Sequence, residues 1–93
     1  MIFKISKKKE EHKKKRFAIE LGRRGGIRFI GFVEARNIYE LLHEIYELRN
    51  KVIDKDRYRR IHITDLETGR KVIIRNKEDI GVRTLHILKK LFS

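Results

Sequence analysis

Apolar and polar residues alternate along two pairs of short segments, and each pair is joined by residues typical of a turn. In residues 16–21, Phe17, Ile19 and Leu21 alternate with Arg16, Ala18 and Glu20, which is the period-two pattern of a strand with one buried face. The bend GRRGG then leads into IRFIGFV, and the two segments predict a β-hairpin. The segments RRIHIT and RKVIIRN, joined by DLETG, predict a second hairpin.

Two other segments have apolar residues at helical spacing. The first, NIYELLHEIYELRNKVI, follows the first hairpin; Asn37 can cap it, and Glu40 completes a capping-box pattern. The second helix is predicted over 84–92, and Gly81 leaves its start undefined. The apolar face of this helix consists of Leu85, Leu88, Leu91 and Phe92.

The first fifteen residues divide into two parts. MIFKIS, residues 1–6, predicts a further strand beside the first hairpin, whereas the charged residues 7–15 predict a mobile loop. The element order is therefore (β)ββαββα, and 93 residues provide for a single core. We expect one α+β domain over residues 1–93, an antiparallel sheet with two helices packed on one face.

Composition excludes several classes of protein. The chain has no cysteine, which rules out disulfides and thiolate metal sites. It has no uncharged apolar run of about 18 residues, so we expect neither a signal peptide nor a membrane span, and we predict a cytoplasmic location. A charged fraction of 41% without any glutamine is typical of heat-adapted proteins, although the absence of proline points the other way.

The net charge of +12 predicts a polyanionic partner, with nucleic acid first. The first predicted helix, 37–53, holds two basic and three acidic side chains, so it is not a basic recognition helix for a DNA groove. Residues 1–36 hold twelve basic and four acidic side chains, and residues 54–93 hold eleven and six. The positive charge therefore belongs to strands, turns and the N-terminal segment.

Strand alternation selects the side chains that face away from the core. If Ile61 and Ile63 point inward, the outward residues of that strand include Tyr58, Arg60 and His62. The strand at 27–33 is apolar on both faces, and its outer side carries either Arg28, Ile30 and Phe32 or Ile27, Phe29 and Val33. The candidate nucleic-acid-binding residues are Arg16, Arg23, Arg24, Arg28, Phe32, Tyr58, Arg60, His62, Lys71 and Arg75.

This mixture of cations and rings is typical of proteins that bind single-stranded DNA or RNA, because cations contact phosphates and rings stack on bases. The predicted function is non-enzymatic binding with low sequence specificity. Arg23 and Arg24 either project toward a phosphate backbone or are solvated turn residues. The outward apolar side chains are either open to a ligand or covered by the N-terminal segment, the second helix or the second subunit of a homodimer.

The sequence contains no complete metal or cofactor motif, and we expect neither. Glu40 and His43 have the E-x-x-H spacing of helical metal sites, but a second copy is missing. His62 beside Arg60 keeps a small, metal-independent ribonuclease open as an alternative function. A regulator that docks on an acidic protein surface is the other alternative, and no membrane partner is expected.

Overall fold

The computed structural model describes residues 13–77 and 81–92. The predicted α+β class and the order ββαββα are confirmed, whereas the predicted strand at 1–6 lies outside the described residues, as does most of the predicted loop at 7–15. Lys15, which we assigned to that loop, is instead the first residue of a strand. The elements are β1 (Lys15–Arg23), β2 (Gly26–Ala35), α1 (Ile38–Arg49), a 3₁₀ segment (Lys55–Arg57), β3 (Arg60–Asp65), β4 (Lys71–Arg75), α2 (Val82–Lys89) and a final 3₁₀ segment (Lys90–Phe92).

The four strands form one antiparallel sheet in the order β2-β1-β3-β4. Each predicted hairpin is present, and the two are joined through β1 and β3, with Ile19 opposite Ile63. The turns close on Gly25 and Gly69, whose φ angles of 84° and 78° lie in the region that favours glycine. The pairing of β1 with β3 places the turn of the first hairpin beside the start of β3.

The core lies between one face of this sheet and the two helices. β1 contributes Phe17, Ile19 and Leu21, all fully buried, and β3 contributes Ile61 and Ile63. Helix α1 packs mainly on β2, and α2 packs on β4. Burial of this apolar area is the main stabilising contribution to the fold. The helix residues buried in the core are Leu41, Leu42, Ile45 and Leu88, followed by Leu91 in the final 3₁₀ segment.

Helix α1 begins as its capping pattern predicts. The side-chain oxygen of Asn37 accepts a hydrogen bond from the Glu40 backbone N–H at 2.9 Å. Glu40 reaches back to the backbone N–H of Arg36, at 2.7 Å, rather than to that of Asn37. In the described part of the chain, neither α1 nor α2 has the length and apolar composition that crossing a membrane requires.

Lys15 connects the start of β1 to the end of β3 through a partly buried ion pair, and to the C-terminal end of the described chain through a hydrogen bond. The Lys15 ammonium donates to the Asp65 carboxylate at 3.0 Å and to the Leu91 carbonyl at 2.7 Å. Burial would raise the pKa of Asp65, but hydrogen bonds from Lys15 and from the Glu67 backbone outweigh it and hold the pKa below its usual value. Asp65 is therefore charged at neutral pH, and Lys15 compensates that charge.

Candidate functional site

Five arginines surround one concavity at the turn end of β1 and β2. We call it the arginine pocket; its volume is about 480 Å³. All five side chains are exposed, and within residues 13–77 and 81–92 none of them forms an ion pair with a carboxylate. A concentration of positive charge without neutralising carboxylates attracts anions of high charge. The lining residues are Arg23, Arg24, Arg57, Arg59 and Arg60.

Backbone pairing brings these arginines together from distant parts of the sequence. The Arg59 backbone N–H donates to the Gly22 carbonyl at 2.9 Å, and Arg60 lies opposite Gly22 in the sheet. Arg23 ends β1, and the turn that follows holds Arg24 beside the start of β3. The structure thus unites three predicted site residues, Arg23, Arg24 and Arg60, in one place.

Tyr58 contacts Arg23 of the arginine pocket. The sequence predicted Tyr58 on the outer face of the sheet, which is the face opposite the helices. That prediction is wrong: Tyr58 is 8% exposed and belongs to the core. The 3₁₀ segment ends at Arg57, Tyr58 is its C-cap, and β3 begins only at Arg60, so the alternation of β3 does not extend to the Tyr58 ring. The Arg23 guanidinium lies over the Tyr58 ring, 5.7 Å from its centroid, a contact that restricts the orientation of Arg23.

Arg28 is on the other side of the sheet from the predicted interface. It pairs with Leu21, whose side chain is in the core, so Arg28 points toward the helix-covered side. The nearby Tyr58 hydroxyl has the largest of the effects that raise the pKa of Arg28, and the Asp54 carboxylate, 3.0 Å from the guanidinium, adds to it. Arg28 is therefore paired with Asp54 and does not point to the outer face.

A β-bulge in β2 decides which of its apolar residues face outward. We call the sheet face opposite the helices the outer face. The register shifts between Ile19 and Glu20, so that Gly31 pairs with Ile19 but Phe29 pairs with Glu20. Ile30 is the additional residue and packs against the core, and Gly31 also faces the helices, next to Leu48.

Two consecutive inward residues reverse the alternation, so neither of the two predicted outward sets is correct. Phe29 and Phe32 both point to the outer face, together with Ile27. The two phenylalanine rings are in edge-to-face contact, with centroids 5.0 Å apart, and are 51% and 61% exposed. We call them the phenylalanine pair; they form an exposed aromatic surface.

His62 occupies the predicted face but is covered. Only 7% of it is exposed, and neither ring nitrogen has a hydrogen-bond partner among the described residues. Burial lowers the pKa of His62, Lys71 lowers it further, and Glu20 opposes them, so the imidazole is neutral at neutral pH. A Cβ on Gly22 would lie 2.6 Å from Nε2, which shows that the ring fills the space beside this glycine. His62 in this arrangement packs and does not present a nitrogen to a ligand.

The remaining predicted residues are spread over the outer face. Arg75 lies directly opposite Arg60 and is exposed, so it extends the arginine pocket across the sheet. Lys71 is exposed but lies 3.6 Å from the Glu20 carboxylate. Arg16 lies 3.6 Å from Glu34, far along β1 from the turn. Arg16 and Lys71 are thus partly neutralised, unlike the pocket arginines.

A basic groove continues from the arginine pocket along the β4 side of the sheet. It has a volume of about 980 Å³, and Arg59 and Arg60 line both cavities. Asp56 is its one acidic lining residue in the described part of the chain. The other cationic lining residues are Arg75, Lys77 and Arg83.

Sequence analysis missed several residues of this surface. Arg57 and Arg59 belong to the dense run RYRR, which was a visible signal, but alternation alone did not place them beside the first turn. Phe29 was assigned to a set that excluded Phe32 because a bulge has no sequence signature in an all-apolar strand. Together the pocket, the phenylalanine pair and the groove combine concentrated positive charge with an exposed aromatic surface.

No group of three or more metal-ligating side chains occurs in the two described ranges. Comparison of the chain with protein-family models, curated proteins and solved structures finds no match.

Proposed function

We propose that this protein binds single-stranded DNA or RNA with low sequence specificity and without cleaving it. The arginine pocket carries the proposal. Five guanidinium groups around one concavity, with no carboxylate paired to them in the described chain, match the charge of a phosphate backbone. The proposed setting is the cytoplasm.

The phenylalanine pair supports a single strand over a duplex. A base can stack on an exposed ring only when it is unpaired, because a duplex hides the faces of its bases. Phe29 and Phe32 are more than half exposed and belong to the same sheet face as Arg60 and Arg75. A strand whose phosphates contact these arginines therefore has aromatic rings within the same surface.

The position of His62 favours binding over the ribonuclease alternative. Glu20 lies directly opposite His62, which pairs a carboxylate with an imidazole, but both ring nitrogens are buried. A general acid or base must reach the proton that it transfers. Incubation of labelled RNA with the protein in EDTA should leave the RNA intact; cleavage that disappears in His62→Ala would establish the enzyme instead.

The test of binding is fluorescence anisotropy with single-stranded and duplex oligonucleotides of DNA and RNA at several salt concentrations. On single strands, the logarithm of the affinity should fall linearly with the logarithm of the salt concentration, with a slope of about −0.7 for each phosphate contacted. A flat salt response would remove the proposal. Tight binding to an acidic protein with negligible affinity for any polynucleotide would support the regulator alternative.

Two double variants separate the contributions of charge and stacking. Arg23→Ala with Arg24→Ala should weaken binding roughly 5- to 150-fold, from about 1–3 kcal/mol of charge-assisted hydrogen bonding. Phe29→Ala with Phe32→Ala should weaken single-strand binding at least several-fold and leave duplex binding nearly unchanged, because stacking contributes about 1–3 kcal/mol per base. Equal losses on single strands and duplexes would contradict the stacking role.

The matched control removes two cations at the opposite end of the sheet. Arg36 follows β2 at the end remote from its turn, and Lys89 ends α2 close to Leu91, which Lys15 bonds at the start of β1. Arg36→Ala with Lys89→Ala changes the net charge equally but should change affinity far less.

Sedimentation of the phenylalanine variants tests the predicted homodimer, because a dimer that covers these rings would dissociate when they are removed.

A further inference from the structure

The lining of the arginine pocket favours the most highly charged part of a strand. All five lining side chains are arginines, so the pocket offers five guanidinium groups to an anion. An internal phosphate carries one negative charge and has a sugar on either side. A terminal phosphate monoester carries about −1.5 to −2 at pH 7 and has three free oxygens, which suit several guanidinium forks at once.

The pocket also lies at one end of the row of apolar side chains that β2 presents on the outer face. It is at the turn end of β1 and β2, and the outer-face residues that follow along β2 are Ile27, Phe29 and Phe32. Ile27 and Phe29, two residues apart on the strand, are separated by about 6.6–6.8 Å, which is a plausible spacing for splayed bases, and the Phe32 ring lies in contact with that of Phe29. A strand with its end in the pocket would therefore place its first bases over these apolar side chains.

Part of the pocket is held in position before any ligand arrives. Arg23 lies over the buried Tyr58 ring, and the Arg59 backbone is bonded to Gly22. Positioned guanidinium groups lose less conformational entropy when they bind an anion.

We propose that the arginine pocket binds the phosphorylated end of the nucleic-acid strand, a phosphate monoester or a short polyphosphate, in preference to an internal phosphodiester. The inference rests on the proposed binding of single strands. The shared chemistry of the 5′ and 3′ ends is the terminal phosphate, and the experiment below distinguishes the two ends.

The test uses one single-stranded sequence of about 12 nucleotides, a length within the range of known single-strand sites. It is prepared with two hydroxyl ends, with a 5′-phosphate, with a 3′-phosphate and with a 5′-triphosphate, and affinities are measured by anisotropy. One phosphorylated end should bind at least about tenfold more tightly than the hydroxyl form, because it offers more charge and more oxygens to the guanidinium forks.

The variants assign that preference to the pocket. Arg23→Ala with Arg24→Ala should reduce the ratio of phosphorylated to hydroxyl affinity to below about twofold, since the forks that recognise the extra charge are removed. The control Arg36→Ala with Lys89→Ala should keep the ratio. Phe29→Ala with Phe32→Ala should weaken both oligonucleotides equally and keep the ratio as well. Circular dichroism and thermal melting verify that each variant is folded.

The outcomes separate this inference from the proposed function. Equal affinity for all four oligonucleotides, with binding of all four weakened in Arg23→Ala with Arg24→Ala, would overturn end recognition and leave strand binding intact. Binding of inorganic tripolyphosphate, measured by calorimetry, without affinity for any oligonucleotide would support a polyphosphate pocket and overturn strand binding. Absence of binding to every probe would overturn both.

Discussion

Substitution of Gly31 by alanine tests the β-bulge that places the phenylalanine pair on one face. Gly31 has a φ of 148°, a conformation that side chains other than glycine rarely adopt, and a Cβ there would lie 3.1 and 3.2 Å from the two methyl groups of Leu48. A residue held in this backbone region costs about 1–3 kcal/mol. For a domain of this size 1 kcal/mol corresponds to about 4–8 °C, so Gly31→Ala should melt roughly 5–20 °C below the parent protein.

Thermal unfolding followed by circular dichroism measures this change, and two other glycines serve as controls. Gly26, also in β2, has no positive φ, and a Cβ added to it would meet no atom within 4 Å, so Gly26→Ala should hardly change the melting temperature. Gly25 has a φ of 84° in open space, so Gly25→Ala isolates the backbone cost from the contact with Leu48. If Gly31→Ala melted within about 2 °C of the parent, below the effect of even 1 kcal/mol, the reasoning would be refuted.

Two further predictions concern titrating groups. Asp65→Asn should lower the free energy of unfolding by about 1–3 kcal/mol at neutral pH. This range is below that of a fully buried ion pair because the Lys15 side chain is 21% exposed. Since the folded pKa of Asp65 is lowered, the advantage of the parent over this variant should be present above about pH 4 and be lost as pH falls through the folded pKa, as urea unfolding at a series of pH values measures. The pKa of His62 is also lowered. The contribution of its neutral ring to the free energy of unfolding should therefore be present above about pH 6.5 and be lost as pH falls through the folded pKa. The melting temperature of His62→Leu should therefore depend less on pH across this range than that of the parent, and an identical dependence would contradict the burial of His62.

Local patterns predicted the elements well. Asn37 and Glu40 marked the start of α1 because capping depends on residues three apart. The glycines of the two turns marked the hairpins for the same reason, since a positive φ is a local requirement.

The site was harder to predict because it depends on pairing between distant strands and on one irregular position. Nothing near Arg23 in the sequence indicates that Arg57 and Arg59 lie beside it; the antiparallel pairing of β1 with β3 brings them there. Tyr58 was misplaced because the alternation of β3 was extended two residues beyond its start. Phe29 and Phe32 were separated because only the register shift opposite Ile19 reveals the bulge.

The central position of β1 and β3 also determines how the chain can fold. Each hairpin can close locally and quickly, but the contacts of β1 with β3 join segments about forty positions apart and must form later. During synthesis the first hairpin is complete at Ala35, while one edge of β1 stays unpaired until residues 60–65 have been made. An open strand edge beside exposed phenylalanines is prone to pair with another chain. We therefore expect the rate at which β3 docks on β1 to govern how much of the newly made protein reaches the native state instead of aggregating.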